Sequence, residues 1–313
     1  MSVTHRTPGG RRARGAPLTP RTAPYLLIAP FFVLFAIFGV FPLFYTGWVS
    51  LHDWDLISSG PHEFVGLENY RTLADDPDFR NAIVNTLGIF VLATVPQILI
   101  ALGLAALLNQ TLRARTFFRM GVLLPNVTSI AAVSIVFSQL FGREYGLVNY
   151  VLSLVGIDPV NWQAHKWSSW IAIATMVDWR WTGYNTLILL AAMQAIPSEL
   201  YDAAKVDGAT GFRAFRSVTV PMLRYTIMFV VVVATIGGIQ LFAEPLLFDT
   251  SPASANGGAG REFQTIALYL YQTAFRSFDF GYAAAISWLL FLLVLLIAGL
   301  NALMVRRLGR GVR

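Results

Sequence analysis

Charged residues in this chain fall in clusters, and between the clusters lie long stretches in which nearly every position is apolar. Five stretches carry no charge at all: 22–52, 81–112, 120–142, 225–243 and 280–305. A sixth, from Trp167 to Ala195, is as apolar but is interrupted by Asp178 and Arg180. A bilayer core about 30 Å thick needs roughly 20 apolar residues in a helix. The pattern therefore predicts an all-α membrane protein of six transmembrane helices, with both termini on one side. Pro30, Pro42, Pro96 and Pro125 lie within spans, where proline removes a backbone hydrogen bond. They read either as packing kinks or as unwound segments lining a path.

Charge sets the orientation. The N-terminal segment, the linker after span two (Arg113, Arg115, Arg119), the loop after span four and the C-terminus together hold 16 of the 23 lysines and arginines. The other three loops hold six, so the first set is expected in the cytoplasm. The stretch from His52 to Asn81 agrees, with seven acidic residues against two basic ones. The net charge of +6 thus points to membrane orientation and not to nucleic acid. Residues 1–23, rich in Arg, Pro, Gly and Thr and without an acid, are expected to be disordered. The apolar run behind them is too long for a signal peptide and reads as an uncleaved first span. Residues 24–308 are then expected to form the six-span transmembrane domain and 309–313 a cytoplasmic tail. Cysteine is absent, which excludes disulfides, thiolate metal sites and cysteine nucleophiles.

The linker after span four, 196–224, is long and reads as structured. Ser198 suits a helix N-cap, good helix formers follow, and Gly208 and Gly211 end or bend the helix. A second short amphipathic piece runs from Phe212 to Val218, and Pro221 opens span five. Leu200, Ala203, Ala204 and Asp207 share one face, where paired alanines permit close approach of another surface. Such a helix suits either a docking element or a segment lying in lipid headgroups.

The order Asp202-Ala203-Ala204, three residues, Gly208, nine residues, Val218-Thr219-Val220-Pro221 resembles the EAA loop of permeases from binding-protein-dependent ABC importers. Every spacing matches, with Asp202 standing where that family usually has Glu. Phe64-Val65-Gly66-Leu67-Glu68-Asn69-Tyr70, Leu124-Pro125-Asn126 and Gly281-Tyr282-Ala283-Ala284-Ala285 resemble its carbohydrate-uptake branch, near the maltose and glycerol-phosphate permeases. The resemblance implies a type I importer permease fold in a bacterial cell membrane. It implies an ATPase-coupling role for Asp202, Ala203, Ala204, Gly208 and Pro221. It also implies partners: a second homologous permease, two ATPase subunits that hold ATP and Mg, and an extracytoplasmic binding protein.

No phosphate-binding Walker loop is present, since neither Lys166 nor Lys205 stands in Gly-x-x-x-x-Gly-Lys-Ser/Thr. No cofactor, metal site or catalytic residue is therefore expected on this chain, and its four histidines lie outside the spans. Charges within a span face a protein interior or a wet cavity. Asp178 and Arg180 are candidates for the substrate pathway, with Tyr184 and Asn185 one turn on and Gln240 and Glu244 near the end of span five. Asn126, Thr128 and Ser129 can instead satisfy carbonyls freed by Pro125. The expected function is one permease subunit of an ATP-driven importer for a di- or oligosaccharide. An importer of amino acids or phosphate esters, or an ion-coupled secondary transporter using Asp178 and Arg180 as a relay, are the alternatives.

Overall fold

The computed structural model describes residues 23–55, 62–110, 113–209, 211–249 and 256–310, so the expectations for residues 1–22 and 311–313 lie outside the described residues. The chain divides into two compact units, Met1–Trp48 and Val49–Arg313. In the first, α1 (Ala23–Phe35), a π-helical turn (Ala36–Val40) and α2 (Phe41–Val49) run on as one apolar helix. Pro42 follows that turn, whose wider ring moves carbonyls away from the proline ring. The Thr46 hydroxyl donates to the carbonyls of Pro42 and Leu43, each at 2.9 Å. The prolines of this segment are accommodated without a break.

The second unit opens with an antiparallel hairpin, β1 (His52–Asp53) and β2 (Glu63–Phe64), then α3 (Glu68–Asp75) and α4 (Pro77–Leu108). There follow α5 (Arg115–Val127), α6 (Ile130–Leu140), α7 (Leu147–Leu154) and α8 (Lys166–Gln194). The 196–224 linker forms α9 (Ser198–Val206), α10 (Phe212–Ala214), a π turn (Phe215–Thr219) and α11 (Val220–Met222). The chain then forms α12 (Arg224–Ile239), α13 (Ala243–Phe248), α14 (Ile266–Phe275) and α15 (Phe280–Arg310).

Three helices among the described residues are singly long and apolar enough to cross a membrane: Tyr25–Val49, Pro77–Leu108 and Phe280–Leu303. Two bent pairs make up to five, α5 with α6 at 91° and α10–α11 with α12 at 70°. The sixth expected span coincides with α8, which is 29 residues long but too rich in charges, amides and hydroxyls to pass as an apolar helix. The bend after α5 follows Pro125. There the Thr128 hydroxyl donates to the Leu124 carbonyl at 3.0 Å, in place of the backbone donor lost at the helix end.

Helices α4 and α8 form the spine of this unit. Their contact is made close by small residues: Ala93, Ala101 and Ala105 are buried, and a Cβ on Gly88 would collide with the Trp170 ring. Gly183 lies so near the Val122 carbonyl oxygen that a Cβ there would overlap it, which seats α5 on α8. At the end of α4 nearest α3, side-chain amides hold the 256–265 segment. Asn81 and Asn85 both donate to the Arg261 carbonyl at 2.8 Å, and Asn85 donates also to the Gln264 carbonyl at 3.0 Å. The Thr86 hydroxyl accepts from Ile266 N at 2.9 Å. Asn69 donates to the carbonyls of Ser50 and His52, and the Asp76 carboxylate accepts from the hydroxyls of Tyr269 and Tyr282. Gly281 sits against the His52 carbonyl. The motif stretches 64–70 and 281–285 thus meet at one fastening at the start of α15.

Candidate functional site

A cavity of about 530 Å³ opens between α4, α8, α12 and α13. Its size lies within the roughly 300–1,000 Å³ typical of small-molecule sites. From α8 it takes Val177, Arg180, Trp181 and Asn185; from α4, Ala93, Thr94 and Gln97; beyond α12, Gln240 and Glu244. Two polar pairs order this wall. Arg180 Nη1 lies 3.1 Å from Glu244 Oε1, and the Asn185 amide donates to Gln97 Oε1 at 2.9 Å. Each charge is therefore matched by its opposite, as burial within a span demands.

The sequence-predicted pathway residues divide. Arg180, Asn185, Gln240 and Glu244 line the cavity, whereas Asp178 and Tyr184 do not. Asp178 is two positions from Arg180, about 200° around the helix, so only one of the pair can face the space. Its Oδ1 is buried and has no hydrogen-bond partner among the described residues. Trp179 is also turned elsewhere, packing on Phe137 at 5.7 Å between ring centroids. Sequence reasoning missed Gln97 and Thr94. The available signal was an amide directly after Pro96 in a charge-free run.

The linker helix α9 lies at the opposite end of α8 from α7. Pro197, not Ser198, occupies its N-cap; Ser198 is the first helical residue and makes no capping bond. Glu199 in the first turn and Lys205 in the last complement the helix dipole. Lys205 reaches Asp202 at 2.8 Å on the exposed surface. The helix ends as expected at glycine. Gly208 has φ +76°, Gly208 N donates to Lys205 O at 3.0 Å, and Ala209 N donates to Ala204 O at 2.8 Å. This paired closure requires a left-handed residue at Gly208. Gly211 also has positive φ, +49°. Asp202, Ala203 and Gly208 are exposed and Ala204 is half-buried. Pro221 does not open α12; it lies in α11, ahead of the 70° bend. The Tyr201 hydroxyl meets the Thr219 hydroxyl at 2.9 Å, closing the linker on itself. Behind it lies a cleft of about 810 Å³ against the end of α4.

Comparison with known proteins agrees with this architecture. Residues 87–310 match the family described as binding-protein-dependent transport system inner membrane component. The chain is 33% identical over 280 residues to the arabinooligosaccharides transport system permease protein AraP of Halalkalibacterium halodurans, covering 89% of this chain and 86% of that one. It is 35% identical over 281 residues to the lactose transport system permease protein LacF of Rhizobium radiobacter, covering 88% and 92%. A chain of a bacterial alginate ABC transporter, solved in complex with an alginate pentasaccharide-bound periplasmic protein, shares the fold. Its TM-score is 0.76 at 23% identity, covering 92% of this chain and 96% of that one. The apolar helices, the glycine-closed linker and these matches over most of the chain place it in the binding-protein-dependent transport system inner membrane component family, as a multi-pass membrane transport subunit.

Proposed function

We propose that this chain forms one half of a membrane pathway for an uncharged di- or oligosaccharide, driven by ATP hydrolysed with Mg on a separate subunit that seats on α9. The observation that carries this reading is the cavity wall. Its two charges, Arg180 and Glu244, neutralise each other, and the other polar groups around the space are amides, the Thr94 hydroxyl and the Trp181 indole. Amides trade hydrogen bonds with sugar hydroxyls, while an aromatic face accepts the apolar face of a sugar ring. The names of the relatives, which carry arabinooligosaccharides and lactose, support the same substrate class.

On this reading a second permease supplies the other half of the pathway, and two ATPase subunits and an extracytoplasmic binding protein complete the importer. Asp202, Ala203 and Gly208 lie on the exposed surface that an ATPase cleft would receive. The charge distribution supports a cytoplasmic side for α9 and both termini. The test is uptake by the whole transporter in proteoliposomes across a panel of neutral sugars and amino acids. A neutral sugar that is imported, with vanadate blocking and ionophores without effect, supports the reading. Import that collapses with ionophores, or that accepts only charged solutes, overturns it.

A further inference from the structure

The segment between α6 and α8 carries a surface that the pathway and the coupling loop do not use. Helix α7 has the sequence Leu-Val-Asn-Tyr-Val-Leu-Ser-Leu, without a charged residue. Its inward side holds Val148 and Leu152, packed on the core cluster that contains Phe137, Phe141 and Trp162. Asn149, 4% exposed, stitches the surrounding backbone together. Its amide donates to the carbonyls of Gly142, Arg143 and Val160, and its Oδ1 accepts from Val160 N at 3.1 Å and from the Trp162 indole at 2.9 Å. The helix is thus held in one attitude.

Its outward side is apolar. Leu147, Tyr150, Val151 and Leu154, at i, i+3, i+4 and i+7, are between 53% and 68% exposed, and Val155 and Ile157 extend the ridge. A charge-free ridge of this kind on a rigidly held helix is not a water-facing surface. Two further observations identify what covers it. Ionisable residues bracket the ridge in sequence, Arg143 and Glu144 before it and Asp158, His165 and Lys166 after it. Exposed aromatic residues accompany it, Tyr145 and Tyr150 and then Trp167 at the start of α8. Apolar side chains rimmed by Tyr and Trp, with charges just beyond, match the boundary between headgroups and acyl chains. The helix is also short-tethered to α6 on one side and to α8 on the other, so it cannot lie far from the membrane surface.

We propose that α7 is an interfacial anchor, its Leu147–Leu154 ridge sunk in the acyl boundary of the leaflet opposite the α9 loop. Because Phe137 and Trp162 pack beneath it, the anchor fixes the depth of that end of the transporter.

The chain has no cysteine, so a single introduced one is unique within it. Leu154→Cys, Tyr150→Cys and Asp158→Cys are each made in the complete transporter, reconstituted in lipid and labelled with a nitroxide. The unmodified transporter, taken through the same labelling, supplies the background. Collision rates are then measured with oxygen, which concentrates in lipid, and with a water-soluble nickel chelate. The expected result is oxygen dominating severalfold at 150 and 154, with the order reversed at 158. Nickel dominating at 150 and 154 would put the ridge in water and overturn the proposal. An immobile label shielded from both reagents would mean that a protein subunit covers it, which overturns it equally.

Discussion

Arg180 of α8 and Glu244 of α13 meet at 3.1 Å, 64 positions apart in the chain, with 16% and 7% of their side chains exposed. Removing one member of a buried ion pair strands the other and costs about 3–5 kcal/mol. Glu244→Ala is expected to lower the thermal midpoint of the purified transporter and to depress uptake. The reciprocal exchange, Arg180→Glu with Glu244→Arg, is expected to recover part of the midpoint. A single variant as stable as the parent would show that the pair does not fasten α13.

Gly208→Asp is expected to abolish uptake while leaving the amount of chain in the membrane unchanged. The substitution puts a side chain at φ +76° and an extra charge on the exposed face of the linker. Gly208→Ala tests the backbone alone, at roughly 1–2 kcal/mol for a left-handed non-glycine residue, and is expected to impair uptake less. Immunoblots of membranes beside uptake rates separate docking from insertion.

Gly183 and Gly103 make a matched pair. A Cβ at Gly183 runs into the Val122 carbonyl, whereas one at Gly103 meets nothing within 4 Å. Gly183→Ala is expected to cost about 1–3 kcal/mol by pushing α5 off α8. Gly103→Ala is expected to be neutral or to stabilise by a few tenths of a kcal/mol up to about 1. Midpoints of thermal unfolding in one detergent check both.

Asn185→Ala strands the buried Gln97 amide, a loss of about 1–3 kcal/mol in the free protein. In the presence of sugar, the expected signature is a changed preference among sugars in competition uptake. Tyr184→Ala, outside the cavity wall, is expected to leave that preference as it was.

Asp279 caps α15 by accepting from Tyr282 N at 2.9 Å. Burial pushes its carboxyl above the ordinary value of 3.8; the bond from Tyr282 N opposes this, and the charges of Asp53 and Asp55 add to it. The folded chain thus holds this proton more tightly than the unfolded chain. The resulting stability is complete below the unfolded value of 3.8 and is lost as pH rises through the folded value. Asp279→Asn keeps an acceptor for the cap and removes the titration. It is expected to be more stable than the parent at neutral pH, with a flatter profile of midpoint against pH.

How much was legible in sequence follows from what each residue depends on. Gly208 was readable because a left-handed helix end is a local requirement that few residues other than glycine meet. The charge-free runs were readable because lipid acts on every position of a span alike. Ser198 was misplaced because Pro197, with its fixed φ and no N–H, takes the position just outside the helix. Asp178 and Arg180 were equivalent on paper; which of them faces the cavity depends on where α13 returns, and α13 is fixed by Glu244 far along the chain. Asn81 and Asn85 gave no signal at all, because their partners are backbone carbonyls of the 256–265 segment and carbonyls carry no sequence identity.

The hydroxyl contact between Tyr201 and Thr219 ties α9 to the π turn just ahead of the 70° bend into α12. If an ATPase seats on α9, as proposed, such a tie ahead of a bend would work as a crank. Sideways travel of α9 under a docked ATPase would reach the bend through this contact, and the cleft of about 810 Å³ leaves it room to swing. On the proposed function, that travel would become tilt of α12, with its longest arm at Gly237, Gly238 and Gln240, where α12 forms the cavity wall.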